Sequence, residues 1–223
     1  MTDRLVLAVD TATVVNVGLA SGSEVLAVAT VEDRMAHAEQ LMPLVADTLN
    51  LAGVRLADVD QIVVGLGPGP FTGLRVGVVT AQILATVTGV PLHGVCSLDV
   101  MATEHAAAGP TGEFVVATDA RRREVYWASY AADGSRQHGP GVDRPDGVPR
   151  LPTIGPAVDI YPEQLAVAPG PRRLDPGVMA VRGPDLPDAG PEPLYLRRPD
   201  ASEPSRPKSV LVVAPGRTFG GDR

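Results

Sequence analysis

From Arg4 to Asp10 the chain is apolar and rich in β-branched residues, the pattern of a buried strand. A second such run covers Val14 to Ser21, and Gly22-Ser23 then offers a tight turn into a third, Glu24 to Val31. Leu41, Leu44, Val45, Thr48 and Leu49 recur at helical spacing and predict a helix from about Ala36 to Ala52. Gly53 supplies its stop, and Pro43 inside it predicts a kink or a tightened first turn. Gln61 to Leu66 reads as a strand, Thr72 to Thr88 as a helix and Pro91 to Val95 as a strand. Ser97 is placed to cap a helix from Leu98 to about Ala107, with Asp99 favourable in its first turn. The order β-β-β-α-β-α-β-α implies a mixed sheet with helices on both faces. Two further strands, Glu113 to Asp119 and Glu124 to Tyr130, flank a turn at Ala120 to Arg123 and read as the start of a second copy.

Beyond Gly134 the periodicity dissolves, and composition gives the reason: 17 of the 22 prolines lie from Pro140 onward. Each removes a backbone donor and is excluded from a helix interior. Tyr161 to Val167 and Leu194 to Arg197 are the short ordered candidates left there. The 223 residues, 44% hydrophobic, suit a globular α/β chain, and no apolar stretch is expected to approach the ~18 residues of a membrane span. The expected location is cytoplasmic. A formal net charge of −7 and 4% aromatics exclude a chain that grips nucleic acid alone, which needs a basic face and a stacking platform. One cysteine, Cys96, excludes an internal disulfide and a Cys-Cys zinc cluster, and its apolar setting marks it as a structural thiol.

Two loops are candidates for chemistry. Asp10-Thr11-Ala12-Thr13 ends the first strand, and Gly65 to Arg75 is a glycine-rich passage from strand to helix. A loop of the second kind can turn backbone N–H groups toward an anion at a helix N-terminus. It is neither a Walker A loop nor the dinucleotide fingerprint, and Pro68 and Pro70 remove two donors. Asp10, Thr11, Thr13, Gly67 and Gly69 are therefore the candidate nucleotide contacts. Along the next helix Gly73, Gly77, Ala81 and Ala85 form a stripe of small residues that admits a close neighbour. That neighbour is either the chain's own sheet or a partner's helix, with Val76, Val79, Ile83 and Val87 on the opposite face expected to supply the internal core. His37 lacks a second ligand at i+3 or i+4, where Gln40 and Leu41 stand, so no metal site is expected. Arg121, Arg122 and Arg123 make the only basic run and read as a solvated turn.

Several segments together resemble the TsaB family: His37 to Pro43, Gly67 to Gly77, Gly89 to Leu92, Val95 to Leu98, Asp119 to Tyr126 and Pro193 to Ala201. The resemblance implies an actin-like ATPase (ribonuclease H-like) fold, with two related lobes each built on a mixed sheet with flanking helices. It also implies a non-catalytic scaffold subunit, without a cofactor of its own, of the complex that makes threonylcarbamoyladenosine next to the tRNA anticodon. The implied partners are a TsaD-type catalytic subunit and a TsaE-type ATPase, with a homodimer when alone and tRNA reached only through the complex. The catalytic relative carries two metal-binding histidines on the helix matching Ala36 to Ala52; here one remains, with Leu41 at the partner position. Active members usually have Gly where this chain has Ala12. Both departures favour a subunit without catalysis. The partner interface is assigned to His37, Leu41, Gly73, Gly77, Ala81 and Ala85.

The prolines from Pro169 to Pro193 replace helices common in that family, so the second lobe is expected to be reduced. The expected division is a first lobe over 1–110, a reduced second lobe over 111–201 and a tail over 202–223. The competing reading is an actin-like ATPase or kinase relative with its own phosphoryl chemistry, in which Asp10 serves as the carboxylate near the phosphoryl group. A metal-dependent protease is the third reading, and it requires a metal site that the spacing does not assemble.

Overall fold

A computed structural model describes residues 3–32, 37–109 and 111–197. Three strands, β1 (Leu5–Asp10), β2 (Val15–Ser21) and β3 (Glu24–Val31), form an antiparallel meander, and helix α1 (His37–Leu51) leads to β4 (Gln61–Gly65). Helix α2 (Phe71–Thr88), strand β5 (Leu92–Val95) and helix α3 (Ser97–Ala107) complete the first lobe. Strands β1, β4 and β5 are parallel, so the sheet order is β3-β2-β1-β4-β5. Strand β1 pairs antiparallel with β2, Val6 opposite Ala20, and lies at the centre. Its alternating residues serve two cores. Leu7 and Val9 join Leu41, Val45, Val78 and Leu84 of α1 and α2, while Val6 and Ala8 face the second lobe.

The second lobe repeats the opening. Strands β6 (Phe114–Asp119), β7 (Val125–Tyr130) and β8 (Arg136–Asp143) are an antiparallel meander, and β9 (Thr153–Ile154) runs parallel to β6. The order β8-β7-β6-β9 thus reproduces β3-β2-β1-β4. The chain has the actin-like fold expected of it, and the second lobe is the smaller, with four strands in its sheet among the described residues. The core between the lobes is continuous: Val6, Val63, Leu98 and Met101 pack with Phe114, Val116, Tyr130 and Met179.

The proline-rich region departs from expectation. It holds β8, β9 and two helices, α4 (Ala157–Ile160) and α5 (Pro176–Arg182). Pro176 opens α5 at a position where the missing N–H has no partner to lose, and Asp175 Oδ1 accepts from the N–H groups of Gly177 (2.7 Å) and Val178 (3.1 Å). Gly18 lets this helix lie on β2, since a Cβ there would stand 2.0 Å from the Pro176 carbonyl oxygen. The candidate span Tyr161 to Val167 is turns, with Val167 bridging to Thr153, and Leu194 to Arg197 carries no regular element. Ser97 is the first helical residue of α3 rather than its cap. At 18 residues, α2 is long and apolar enough to span a membrane by length and composition, which corrects the expectation that no stretch comes near; it packs against β4 and α1. The segment Ser209 to Val213 and the tail lie outside the described residues.

Candidate functional site

The two candidate loops meet at the C-terminal ends of β1 and β4 and close on each other. Asp10, 1% exposed, accepts from the Ala12 N–H at 3.0 Å and from the Ser97 hydroxyl at 2.5 Å. Ser97 Oγ in turn accepts from the Gly67 N–H at 3.1 Å, and the Ser97 N–H donates to the Gly67 carbonyl at 2.8 Å. Thr11 donates its hydroxyl to the Gly73 carbonyl at 2.7 Å. Gly69 lies on Ala12 so closely that a Cβ would stand 2.5 Å from the Ala12 oxygen, and one at Gly65 would stand 1.8 Å from Asp10 Oδ2. The N–H groups of Ala12, Gly67 and Ser97 are thus spent inside the protein. The gap that remains, lined by Asp10, Ala12, Thr13, Pro68 and Ser97, holds about 10 Å³, room for at most a water. Asp10, Thr11, Gly67 and Gly69 are brought together as a packed junction, while Thr13 stands half-buried at its edge, on a cleft of about 390 Å³ that runs toward Asp159 and Arg172.

The small-residue stripe of α2 is what makes that junction possible. A Cβ at Gly77 would stand 2.2 Å from Thr11 Oγ1, and one at Gly73 would stand 2.9 Å from the Thr11 oxygen. Ala81 is fully buried and Ala85 nearly so, as is Leu41 on α1. The sequence assignment of faces is therefore reversed for all but Val76, which is half-buried against the core. The stripe and Leu41 are internal packing, while Val79 (49% exposed), Ile83 (57%) and Val87 (74%) project from the opposite side. Bulky residues were expected to fill the core because burial stabilises them most, but here Gly and Ala win by letting two backbones approach. The ridge shows in the sequence as an apolar i, i+4, i+8 spacing, but spacing alone does not say which side of the helix meets the core. The side chain of His37 lies outside the described residues. Among the described residues no three of His, Cys, Asp and Glu stand as a metal group.

The arginine run is the exposed turn that the sequence predicts, with a backbone that the sequence does not announce. Arg121, Arg122 and Arg123 all have positive φ (62°, 54° and 61°), a left-handed stretch without glycine that costs ~1–3 kcal/mol per residue. It is held by the Ala120 N–H to the Glu124 carbonyl (2.9 Å), the Glu124 N–H to the Arg121 carbonyl (3.0 Å) and the Arg121 N–H to Asp119 Oδ1 (3.0 Å). The turn forms one wall of a cleft of about 190 Å³ between the lobes. The other wall is the Gly69-Pro70-Phe71 corner with Tyr195 and Arg197. The Tyr195 ring lies against Phe71, centroids 4.7 Å apart and tilted by 33°, and the Arg75 guanidinium lies 4.1 Å over the Phe71 ring. Arg197 donates to the Ala120 carbonyl at 2.7 Å and pairs with Glu124. Cations and aromatic faces around one cleft can take an anionic or planar group.

Comparison with known proteins turns this geometry into a family. A model of the tRNA N6-adenosine threonylcarbamoyltransferase family, TsaD, matches residues 29–170. The tRNA threonylcarbamoyladenosine biosynthesis protein TsaB of Escherichia coli is 39% identical over 97 residues, 44% of this chain and 42% of that protein. The solved structure of YeaZ from Pseudomonas aeruginosa superposes with a TM-score of 0.67 at 26% identity, covering 86% of this chain and all of that one. The chain belongs to the TsaB family. An uncharacterized protein of Mycobacterium tuberculosis is 46% identical to this TsaB-family chain over 206 residues, 88% of this chain and 93% of that one. A second structure from P. aeruginosa, of an uncharacterized protein with similarity to peptidase YeaZ, superposes with a TM-score of 0.71 at 27% identity, over 87% of this chain and 100% of that one.

Proposed function

We propose that this chain is the non-catalytic scaffold subunit of the complex that installs threonylcarbamoyladenosine on tRNA, acting in the cytoplasm by pairing with and activating a TsaD-type catalytic subunit. The observation that carries the reading is the apolar ridge of α2. Val79, Ile83 and Val87 stand exposed on a helix whose other face is packed, and apolar surface of this kind is covered in an assembly. The interface role moves to these residues from the buried stripe. The tight junction at Asp10 supports the same reading, because the gap beside it holds about 10 Å³ and the Ala12 and Gly67 N–H groups are already bonded within the protein. A TsaE-type ATPase and tRNA then join through the complex. In the absence of TsaD the same ridge serves self-pairing.

Co-expression with TsaD followed by gel filtration tests this. The expected result is co-elution that Ile83→Lys abolishes while the isolated variant melts normally. Separate elution of two folded proteins, with TsaE, nucleotide and metal present, sinks the reading. The cleft lined by Arg121, Arg122 and Arg197 favours a second reading, a nucleotide-binding relative of the actin-like ATPases. Calorimetry with Mg-ATP separates the two: heat of binding accompanied by ATP hydrolysis in the isolated chain supports an enzyme, and neither supports the scaffold.

A further inference from the structure

Asp99 is a carboxylate buried where the two lobes meet. It lies in the first turn of α3, and its side chain is 6% exposed. Tyr130, fully buried at the end of β7, donates its hydroxyl to Asp99 Oδ1 at 2.8 Å. Arg136, the first residue of β8, brings Nη1 to 3.4 Å from the same oxygen. The Cys96 thiol of the first lobe also bonds to this carboxyl, and the rest of the setting is apolar packing, including the Phe114 ring stacked 5.6 Å from that of Tyr130. Apolar burial is non-directional and tolerates small rotations of one surface on another. A hydroxyl hydrogen bond and a guanidinium ion pair converging on one buried oxygen resist it, because the hydrogen bond weakens steeply off-axis and a buried carboxylate that loses its partners is costly.

We propose that Asp99 is an interlobe latch, which sets the angle between the two lobes by holding Tyr130 and Arg136 of the second lobe on one oxygen of the first. Arg197 makes a second tie at the other end of β7. Its segment is fastened to the first lobe through the Leu194 N–H to the Leu66 carbonyl (2.8 Å), and it reaches the Ala120 carbonyl and Glu124 of the second. Clamped at both ends of one strand, the lobes present the α2 ridge and the arginine turn in a single relative orientation.

Spin labels on cysteines introduced at two exposed positions, Thr86 on α2 and Glu163 beyond α4, report that orientation as a distance distribution. Cys96 stays unlabelled, being buried with its thiol pushed up to about 12. The full chain is expected to give one narrow peak. The triple variant Asp99→Leu, Tyr130→Phe, Arg136→Leu replaces the polar group with apolar side chains and should leave the melting temperature little changed, because such exchanges are close to neutral. Its peak should broaden severalfold. If the triple variant does not fold, Tyr130→Phe alone, which keeps the ring stack, decides by the same broadening. A peak as narrow as wild type in the folded variant shows that apolar packing sets the angle and overturns the latch, as does a broad wild-type peak.

Discussion

The two lobes start alike and end differently. Both open with a three-stranded meander and a fourth strand parallel to the first. In the first lobe that strand has five residues and leads into an 18-residue helix; in the second it has two residues and is followed by a helix of four. The second lobe even lends its longest helix away, since α5 packs on β2, β1 and β3 of the first. A sheet face left without its own helices must be buried on something else. Phe114, Val116, Ala128 and Tyr130 are buried against α3 and α5 in the shared core. The second lobe is therefore stabilised by the first, and the interlobe core takes the place of a second helical layer.

That asymmetry can be broken most forcefully at Gly18. A valine there drives its side chain into the Pro176 carbonyl and should cost ~3 kcal/mol or more, measured by urea denaturation, with amide exchange rising in both sheets. Loss confined to the second lobe would contradict a shared core. Met179→Ala on α5 empties a fully buried site and is expected to cost about 2 kcal/mol, near the low end for such cavities because a short helix can settle. Its sharpening control is Val158→Ala on α4, buried in the outer core of the second lobe, whose exchange effects should stay in β6 and β9. Smaller again is Arg197→Ala, which removes a part-buried tie and should cost about 1 kcal/mol while loosening the Ala120 to Glu124 turn.

The smallest expected effect is a slope with pH. Burial pushes the Asp99 carboxyl above the usual aspartate range, against the opposing pull of Arg136 and of the hydrogen bonds from Tyr130 and the Cys96 thiol. A group whose folded value is raised binds its proton more tightly in the folded state. Its contribution is thus full below the unfolded aspartate value, drains as pH rises through the folded value and is flat above. Asp99→Asn should remove that slope from the melting temperature in the acid range. An unchanged slope would assign it to other carboxylates.

Much of the first lobe was legible because its elements are long enough for periodicity to speak. Glu24 to Val31 and the helices around Leu41 and Val78 follow from spacing alone. The elements after Gly134 were hidden for a different reason: they are short, and proline reads as a breaker although at the first position of a helix it is a starter, as at Pro176. At the site, the glycines were located and their partners were not. Gly73 and Gly77 announce a close approach but do not say that Thr11 makes it. Three consecutive left-handed arginines leave no compositional trace, since the residues that favour that conformation are glycine and asparagine. Nor could pairing of Asp10 with Ser97, 87 positions away, be read from either neighbourhood.

The central claim is that the protein works through the outer face of α2 and not through the sealed loops beneath it. Titrating wild type and Ile83→Lys with purified TsaD, by calorimetry or labelled gel filtration, measures it most directly. A lysine at the centre of an apolar contact should weaken association by two decades or more, about 3 kcal/mol, with the melting temperature of the isolated chain unchanged. Undiminished binding by a folded Ile83→Lys variant would contradict the claim.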